Sequence, residues 1–475
     1  MTRLQEIRWL GDLEVERPVA QTAEPASLTR KVNLYQVPWL RAVLQSRLPQ
    51  FTLRMLTLMG FLITIVSALL GPRVGSHNFA IIMVWIAWWT TLKLVFIPLG
   101  GRSWCSICPI AMPGDWLQQG GILIKGKRRY GLGLRWPRRL RGSWLQSGGF
   151  LLIGLFSALT LTDPHVTGWL LLAIFVLAIG MSLVFEKRAF CSYLCPIGGF
   201  SGMYAKVAPL EVQVIDKQVC RQHGDKSCYQ ACPWGIYPVA MQDASACGLC
   251  MECLRACPQD NLALNLRPYG TDLVKPVRNA HLDETLLALV MLGSVLVFSA
   301  VYLGPWGWLK LSAFNIGSLP WAMFALGFLI LNLVVLPAAF FSAVWIEKKI
   351  SRSSLPITSL VASQAQALLP LGLMAWIAFT VSFALPKLNY ILGVLNDPFG
   401  WGWRLLDLVN LPKTLDVSGF SPILQVLLLG VGLVWAARVA QARSGLAKAT
   451  STPINLPVLL FCLVFSLAML WLLVG

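Results

Sequence analysis

Nine apolar runs, each long enough to cross a bilayer as a helix, constrain this sequence more than any other feature. A helix needs about 20 largely apolar residues to span the hydrocarbon core. The runs lie at 55–71, 80–100, 146–162, 167–185, 285–303, 319–346, 367–386, 421–437 and 456–474. Charged residues make up only 13% of the 475 residues, which excludes a water-soluble globular protein and a disordered chain. The sequence therefore predicts a polytopic α-helical membrane protein of about nine helices.

Basic residues are unevenly distributed among the loops, and this predicts the orientation. The formal net charge is +18, and residues 101–146 alone contain nine Lys and Arg and one acid. With nine helices, this loop and the basic loops near 348–352 and 438–448 lie on one side, which the positive-inside rule makes cytoplasmic. We predict a multi-pass protein of the inner (cytoplasmic) membrane with its N-terminus inside and without nucleic-acid binding. Residues 1–50 are expected to be a cytoplasmic segment without a signal peptide or lipidation motif.

The first four predicted helices form two similar hairpins, so residues 51–200 are predicted to be a duplicated membrane domain. Each hairpin carries a histidine at its outer end and two cysteines, the second followed by proline, at its inner end. The histidines are His77 and His165, and the cysteine pairs are Cys105 with Cys108 and Cys191 with Cys195. The histidines are speculative quinol-contacting or haem-ligating residues, with haem the less favoured, and ordinary loop histidines are the simpler alternative.

The most specific signal is a run of four cysteines ending in proline. Cys247, Cys250, Cys253 and Cys257 have the spacing C-x2-C-x2-C-x3-C-P. This is the bacterial ferredoxin pattern, in which three thiolates hold one four-iron cube and the fourth ligates a second cube. Structural zinc sites instead use two separated C-x2-C pairs. The run therefore predicts a two-cluster ferredoxin-like α+β domain, which we place at 201–284, inserted between the membrane domains.

A second run precedes the first with the spacing C-x2-H-x4-C-x3-C-P. It resembles the cysteine run in the electron-transfer subunits of molybdopterin oxidoreductases, with His223 in place of the second cysteine. The crossover rule predicts that the first cluster is held by Cys247, Cys250, Cys253 and Cys232. It assigns the second cluster to Cys220, Cys228, Cys257 and, as candidate fourth ligand, His223. The alternative is a loop histidine beside a three-iron cluster or an exogenous ligand.

The two helix-end pairs fall on the same predicted side as the ferredoxin segment. Their four thiols are candidates for a third 4Fe-4S cluster or for a dithiol relay. The simplest alternative is that each Cys-Pro only closes a helix. Residues 285–475 form a predicted five-helix C-terminal membrane domain of unassigned role, and Cys462 within it is predicted to be a buried hydrophobic residue.

At residues 190–198 the sequence F-C-S-Y-L-C-P-I-G resembles the F-C-G-W-x-C-P-x-G motif of the membrane-bound polyferredoxin-type 4Fe-4S proteins. That superfamily includes the quinol dehydrogenase subunit of nitrate reduction, the nitrous-oxide reductase regulator and the cytochrome oxidase accessory protein. The resemblance covers roughly residues 50–265. Three features depart from the family pattern: the two-residue spacing of the first pair, His223, and the C-terminal helices.

The resemblance implies electron transfer between the quinone pool, or a membrane partner, and cytoplasmic 4Fe-4S clusters, with a quinol-linked oxidoreductase subunit as the candidate enzyme. The alternative is an assembly or regulatory factor that supplies reducing power to a metalloenzyme system or senses its redox state. The basic loop at 101–146 also suits an acidic ferredoxin or flavodoxin as partner, although the positive-inside rule alone accounts for its charge.

Charged residues within the apolar runs are few, so the sequence does not support a proton pump or an ion-coupled transporter. Lys93 lies near the inner end of the second run, where it is expected to extend to the membrane surface. The main polar candidates in the later runs are Gln364, Gln366 and Gln425.

Overall fold

The computed structural model describes residues 31–121, 130–276, 281–406, 419–446 and 455–474. Its N-terminal part contains one strand and eight helices. They are β1 (Val32–Asn33), α1 (Pro38–Gln45), α2 (Leu48–Leu70), α3 (Phe79–Gly100), α4 (Trp104–Ile107), α5 (Met112–Gln119), α6 (Trp144–Leu155), α7 (Ser157–Thr160) and α8 (Pro164–Val184). Of these, α2 and α8 pack together, so the two hairpins predicted from the sequence lie side by side.

Short elements around a small antiparallel sheet follow α8. They are α9 (Pro196–Ala205), β2 (Leu210–Val214), α10 (Lys217–Gln222), α11 (Ser227–Ala231), α12 (Glu252–Ala256) and β3 (Leu262–Leu266). Among the described residues the strand order is β1-β3-β2, with Val32 and Leu210 both paired to Leu266. The N-terminal segment therefore supplies an edge strand to the ferredoxin segment, which the sequence did not suggest.

Five long helices and one short helix form the C-terminal part. They are α13 (Leu282–Tyr302), α14 (Gly307–Phe314), α15 (Leu319–Ser351), α16 (Ile357–Asn396), α17 (Ser421–Leu446) and α18 (Leu456–Val474). A π-helical turn at Leu331–Val335 interrupts α15 just before Pro337, which has no backbone N–H to donate.

Within the described residues, eight helices are long and apolar enough to cross a membrane, so the chain is a multi-pass membrane protein. The count differs from the predicted nine because the third run, 146–162, is divided at Phe156 into α6 and α7. Three glycines among the twelve residues of α6 weaken it as a helix. The helix α16 extends ten residues beyond the predicted run that ends at 386, and residues 407–418 lie outside the described residues.

The core joins the N-terminal and C-terminal membrane parts. Trp376 of α16 is fully buried, and its ring packs edge-on against the rings of Trp89 and Phe200. Lys93 lies in the same core, only 1% exposed, with its Nζ 5.1 Å and 5.3 Å from the ring centres of Trp89 and Trp376. The expectation that Lys93 reaches the membrane surface is therefore wrong, because aromatic rings enclose its amino group within the core.

Candidate iron–sulfur site

The helix-end cysteines meet where α3 and α8 end. Cys105 lies on α4, and Cys191 lies in the π-helical turn Phe190–Leu194. Burial, together with the neighbouring Cys105 and Cys195, raises the pKa of Cys108 to about 12. Burial likewise raises the pKa of Cys195 to about 11. The hydrogen bond that Gly198 N–H donates to Cys195 Sγ over 3.3 Å acts in the opposite direction and lowers this pKa. The fold therefore brings together all four thiols of the two pairs, and we call this set the helix-end group.

Two buried arginines fix the backbone around the helix-end group. Arg102 donates to the carbonyl of Cys191 over 2.6 Å and to that of Ser245 over 3.2 Å. Arg188 donates to the carbonyl of Cys105 and binds the Asp115 carboxylate with both its Nε and Nη2. Burial alone would lower the pKa of Arg188, but the adjacent carboxylate raises it above its ordinary value. These charged groups tie the helix-end pairs to each other and to the ferredoxin segment.

Four cysteines of the ferredoxin segment line one cavity with an empty volume of about 420 Å³. They are Cys232, Cys247, Cys250 and Cys253, and we call them the inner group. Leu249 and Met251, between the cysteines, adopt left-handed backbone conformations that are uncommon for residues other than glycine. Burial raises the pKa of Cys247 to about 11 and that of Cys250 to about 12. The tightly wound loop thus directs its thiols into one enclosed space.

The remaining cysteines, Cys220, Cys228 and Cys257, form an outer group near β3. Asn261 connects two of them: its side-chain amide donates to Cys220 Sγ over 3.3 Å, and its backbone N–H donates to Cys257 Sγ over 3.4 Å. Burial raises the pKa of Cys228, and Cys257 and Cys220 raise it further. N–H donors to sulfur are among the features that tune iron–sulfur clusters.

His223 follows α10, three residues after Cys220. Its Nδ1 is buried, and no hydrogen-bond partner for it exists among the described residues. A buried ring nitrogen without a partner is the state expected of an imidazole whose ligand is missing. His223 thus has a buried ring nitrogen without a partner among the described residues, and its role as an iron ligand stays a prediction.

The helix-end and inner groups are in contact. Cys105, Cys250 and Trp234 share one apolar cluster, with Cys232 packed against it. Cys253 and Cys247 in turn pack against the cluster that contains Cys220. The twelve chain positions predicted to bind clusters therefore form three adjacent groups in the order helix-end, inner and outer.

The donor set fits clusters better than single ions. Among the described residues, no three His, Cys, Asp or Glu side chains converge as they would around one metal ion. A four-iron cube instead holds its thiolates apart at separate corners, which suits cysteines spread around a cavity. Because the buried thiols have raised pKa values, they need the positive charge of bound iron to become thiolates.

The two outer-end histidines are not part of these groups. His77 is exposed and its Nδ1 lies 3.0 Å from Ser76 Oγ, while His165 begins α8, where Asp163 accepts its backbone N–H. The 21 residues of α8 put His165 about 30 Å from the helix-end group. The quinol or haem role of these histidines stays a prediction.

Sequence reasoning missed Arg102, Arg188, Asp115 and Trp234. Arg102 belongs to the basic loop at 101–146, whose charge the positive-inside rule already explained, and Arg188 lies just after α8. The sequence pattern that could have identified the two arginines is their spacing from the cysteine pairs. Arg102 lies three residues before Cys105, and Arg188 lies three residues before Cys191.

Replacing Gly248 with alanine is expected to weaken the inner group. A Cβ at this position would lie 2.1 Å from the Trp234 ring, and that ring also packs against Arg188, whose guanidinium lies 4.4 Å from its centre. Overpacking of this kind costs about 1–3 kcal/mol. Thermal unfolding and iron retention of Gly248→Ala should both fall, whereas the control Gly60→Ala, where the new methyl meets open space, should match wild type. Equal behaviour of both variants would contradict the packing described here.

Comparisons with known proteins agree with this arrangement. A family model described as a 4Fe-4S binding domain matches residues 81–131 and 167–211, each segment containing one helix-end cysteine pair. The chain is 27% identical over 151 residues to the methylamine utilization ferredoxin-type protein MauN of Paracoccus denitrificans, covering 30% of this chain and 52% of that protein. It is 37% identical over 67 residues to the ferredoxin-type protein NapH of Haemophilus influenzae, covering 14% and 21%.

The aligned segment thus spans about half of MauN and about a fifth of NapH. No solved structure matches the chain. The matched segments carry the cysteine pairs through which the sequence resembled this superfamily. Over these segments the chain is similar to the membrane-bound, polyferredoxin-type 4Fe-4S proteins, as its sequence motifs predicted.

Proposed function

We propose that this protein relays electrons through three 4Fe-4S clusters between the quinone pool, or a membrane redox partner, and the cytoplasmic side. The contact of Cys105 with Cys250 and Trp234 carries this proposal, because it places the membrane-domain cysteines directly against the ferredoxin segment. Adjacent clusters can pass electrons along the chain, whereas isolated clusters cannot form a relay. The protein's part is to set the potentials through ligands, hydrogen bonds and burial.

Each group supplies the ligands of one cluster in this proposal. The helix-end cluster is held by Cys105, Cys108, Cys191 and Cys195. The inner cluster is held by Cys232, Cys247, Cys250 and Cys253. The outer cluster is held by Cys220, Cys228, Cys257 and His223. The crossover predicted from the sequence is supported because Cys232 lines the cavity of the inner group and Cys257 shares Asn261 with Cys220.

The cysteine end of the helices is the cytoplasmic end in this proposal, because the basic loop at 101–146 lies there. A cavity with an empty volume of about 950 Å³ reaches Cys232 from the ends of α5 and α8, and Ser182 and Phe185 line its membrane side. A donor that enters there would meet the inner cluster without crossing the bilayer. The names of the relatives, ferredoxin-type proteins, support electron transfer as the function.

The relay is tested by mixing the oxidised, cluster-loaded protein with a reduced quinol analogue under anaerobic conditions. The expected result is rapid bleaching of the iron–sulfur absorbance, with reduced-cluster EPR signals on freezing. Bleaching by dithionite but not by the quinol analogue would contradict quinol-linked electron transfer and favour the assembly or regulatory function. Zinc with no iron in the purified protein would overturn the cluster assignment itself.

Replacing His223 with cysteine is expected to lower the midpoint potential of one cluster. Imidazole is neutral and thiolate is negative, so the substitution adds a charge that disfavours the reduced state. Redox titration followed by EPR should show one component shifted to lower potential and the others unchanged. The control His281→Cys changes an exposed histidine at the start of α13 and should leave all potentials in place. A His223→Cys titration identical to wild type would exclude His223 as a ligand.

A further inference from the structure

A buried carboxyl group in the C-terminal membrane part has no place in the relay. Glu347 lies near the end of α15 and is 6% exposed. Among the described residues it forms no ion pair, and its polar contacts are to Gln364 of α16 and Ser444 of α17. Buried carboxylates are normally paired with a cation because desolvating an isolated charge is costly. Glu347 therefore needs a positive charge that the surrounding side chains do not supply.

The hydrogen bonds within this cluster leave two acceptors unused. Gln364 Nε2 donates to Glu347 Oε1 over 2.8 Å and to Ser444 Oγ over 2.9 Å, while Ser444 Oγ donates to Glu347 Oε1 over 3.1 Å. Glu347 Oε2 and Gln364 Oε1 are both buried and have no partner among the described residues. Two acceptors without a donor indicate that the missing component is a hydrogen-bond donor or a cation, and a proton on Glu347 Oε2 would be such a donor.

Charged groups on the neighbouring elements do not compensate Glu347. Arg443, next to Ser444 on α17, directs its guanidinium to the carbonyls of Leu273 and Lys275. Lys349 on the same helix as Glu347 is exposed and lies over Trp345. The first turns of α16, from 357 to 364, contain no charged residue, and α18 contains none either. The acids of α13, Asp283 and Glu284, lie at its N-terminus, where His281 contacts Asp283 and Lys206 contacts Glu284. On α15 the remaining charged neighbour of Glu347 is Lys348.

A polar cavity lies on the other side of this cluster. Its empty volume is about 780 Å³, and it separates the ferredoxin segment from the C-terminal helices. Ala362 and Gln366, which flank Gln364 on α16, line it together with Arg443, the residue before Ser444. Lys206, Asp243 and Glu284 give it charged walls. The cavity therefore reaches the segments of α16 and α17 that carry Gln364 and Ser444, and titratable groups lie in its wall.

We propose that Glu347, Gln364 and Ser444 form a proton-binding site in which Glu347 is a neutral carboxylic acid at neutral pH and exchanges its proton with water in this cavity. A proton on Oε2 converts an unpartnered acceptor into a donor and removes the buried charge. A metal cation fits less well, because hard cations require six or more oxygen ligands and only two oxygens here are unused. The site lies in the C-terminal membrane part, which has no counterpart in the residues matched by the 4Fe-4S family.

Infrared spectroscopy of the full-length protein tests this site without requiring any electron transfer. At neutral pH we expect a protonated-carboxyl C=O band that shifts in D2O, disappears in Glu347→Gln and persists in Glu186→Gln. Glu186 is a suitable control because it is an exposed acid outside the membrane helices. Glutamine mimics the neutral acid, so Glu347→Gln should unfold at the wild-type temperature.

Three outcomes would overturn the proposal. The first is a carboxyl band that persists in Glu347→Gln, and the second is the absence of such a band at neutral pH. The third is a wild-type unfolding temperature that rises with NaCl but not with choline chloride, combined with no NaCl effect in Glu347→Gln. The last would mean that the site holds Na⁺ instead of a proton. If Glu347→Gln does not fold, Ser444→Ala tests the proposal instead. Loss of the hydroxyl donor should move the C=O band of protonated Glu347 to higher frequency, and an unchanged frequency would reject the assignment of the band to Glu347.

Discussion

Replacing Cys105 with serine is expected to lower the iron content from about twelve to about eight atoms per chain, the loss of one cube from three. Cys105 is one of four thiols in the helix-end group, and a serine hydroxyl is a poor substitute for a thiolate on iron. In the proposed assignment the inner and outer clusters keep all of their ligands in this variant. We expect the EPR signals of two reduced cubes to remain while the third disappears, as measured by iron and sulfide analysis with anaerobic EPR.

The control for this experiment is Cys462→Ser, which removes a buried thiol of α18 far from the three groups. Its iron content should equal that of wild type. About eight irons in the wild-type protein itself would show that the helix-end cysteines are thiols and that the relay has two clusters. A Cys105→Ser variant that keeps about twelve irons would contradict the ligand assignment.

Replacing Asp115 with asparagine is expected to cost about 3–5 kcal/mol of stability, the usual loss when one partner of a buried ion pair is removed. The Arg188 and Asp115 side chains are 3% and 5% exposed, and Arg54 approaches the same carboxylate at 3.9 Å. The variant leaves buried guanidinium charge uncompensated. Because Arg188 also holds the Cys105 carbonyl, the helix-end cluster should be lost first on heating. Thermal unfolding followed by circular dichroism and by iron–sulfur absorbance measures both effects.

Two further variants separate charge from packing. Glu186→Gln breaks an exposed pair with Arg135, whose side chains are 41% and 65% exposed, and should cost no more than about 1 kcal/mol. The double variant Asp115→Leu with Arg188→Leu removes both charges of the buried pair and should be more stable than Asp115→Asn. A loss for Asp115→Asn as small as that for Glu186→Gln would show that the pair does not stabilise this end of the protein.

Local sequence patterns predicted the features that depend on local composition and spacing. Apolar runs predicted the membrane helices, and the break at Phe156 was missed because glycines within α6 leave the hydropathy high while weakening the helix. Cysteine spacing predicted the ferredoxin loop because three ligands of one cube lie within seven residues. The family resemblance was confirmed through the helix-end pairs.

What the sequence could not provide depends on contacts between distant residues. Lys93 and Glu347 resemble residues at a membrane surface when seen in sequence, one near a helix end and the other before two lysines. In the fold, aromatic rings from α16 enclose Lys93, and two other helices bury Glu347. Whether a charged side chain is buried depends on which residues the folded chain packs around it.

The sequence by itself determined that this chain crosses a membrane and carries cysteines spaced for iron–sulfur clusters, because hydropathy and ligand spacing are local properties. Only the tertiary structure decided that the two helix-end pairs meet, that they touch the inner group through Trp234, and that Arg188 and Asp115 support them. The physical reason is that a cluster site and a buried ion pair each require groups from separate segments, and their distances are set by how the helices pack.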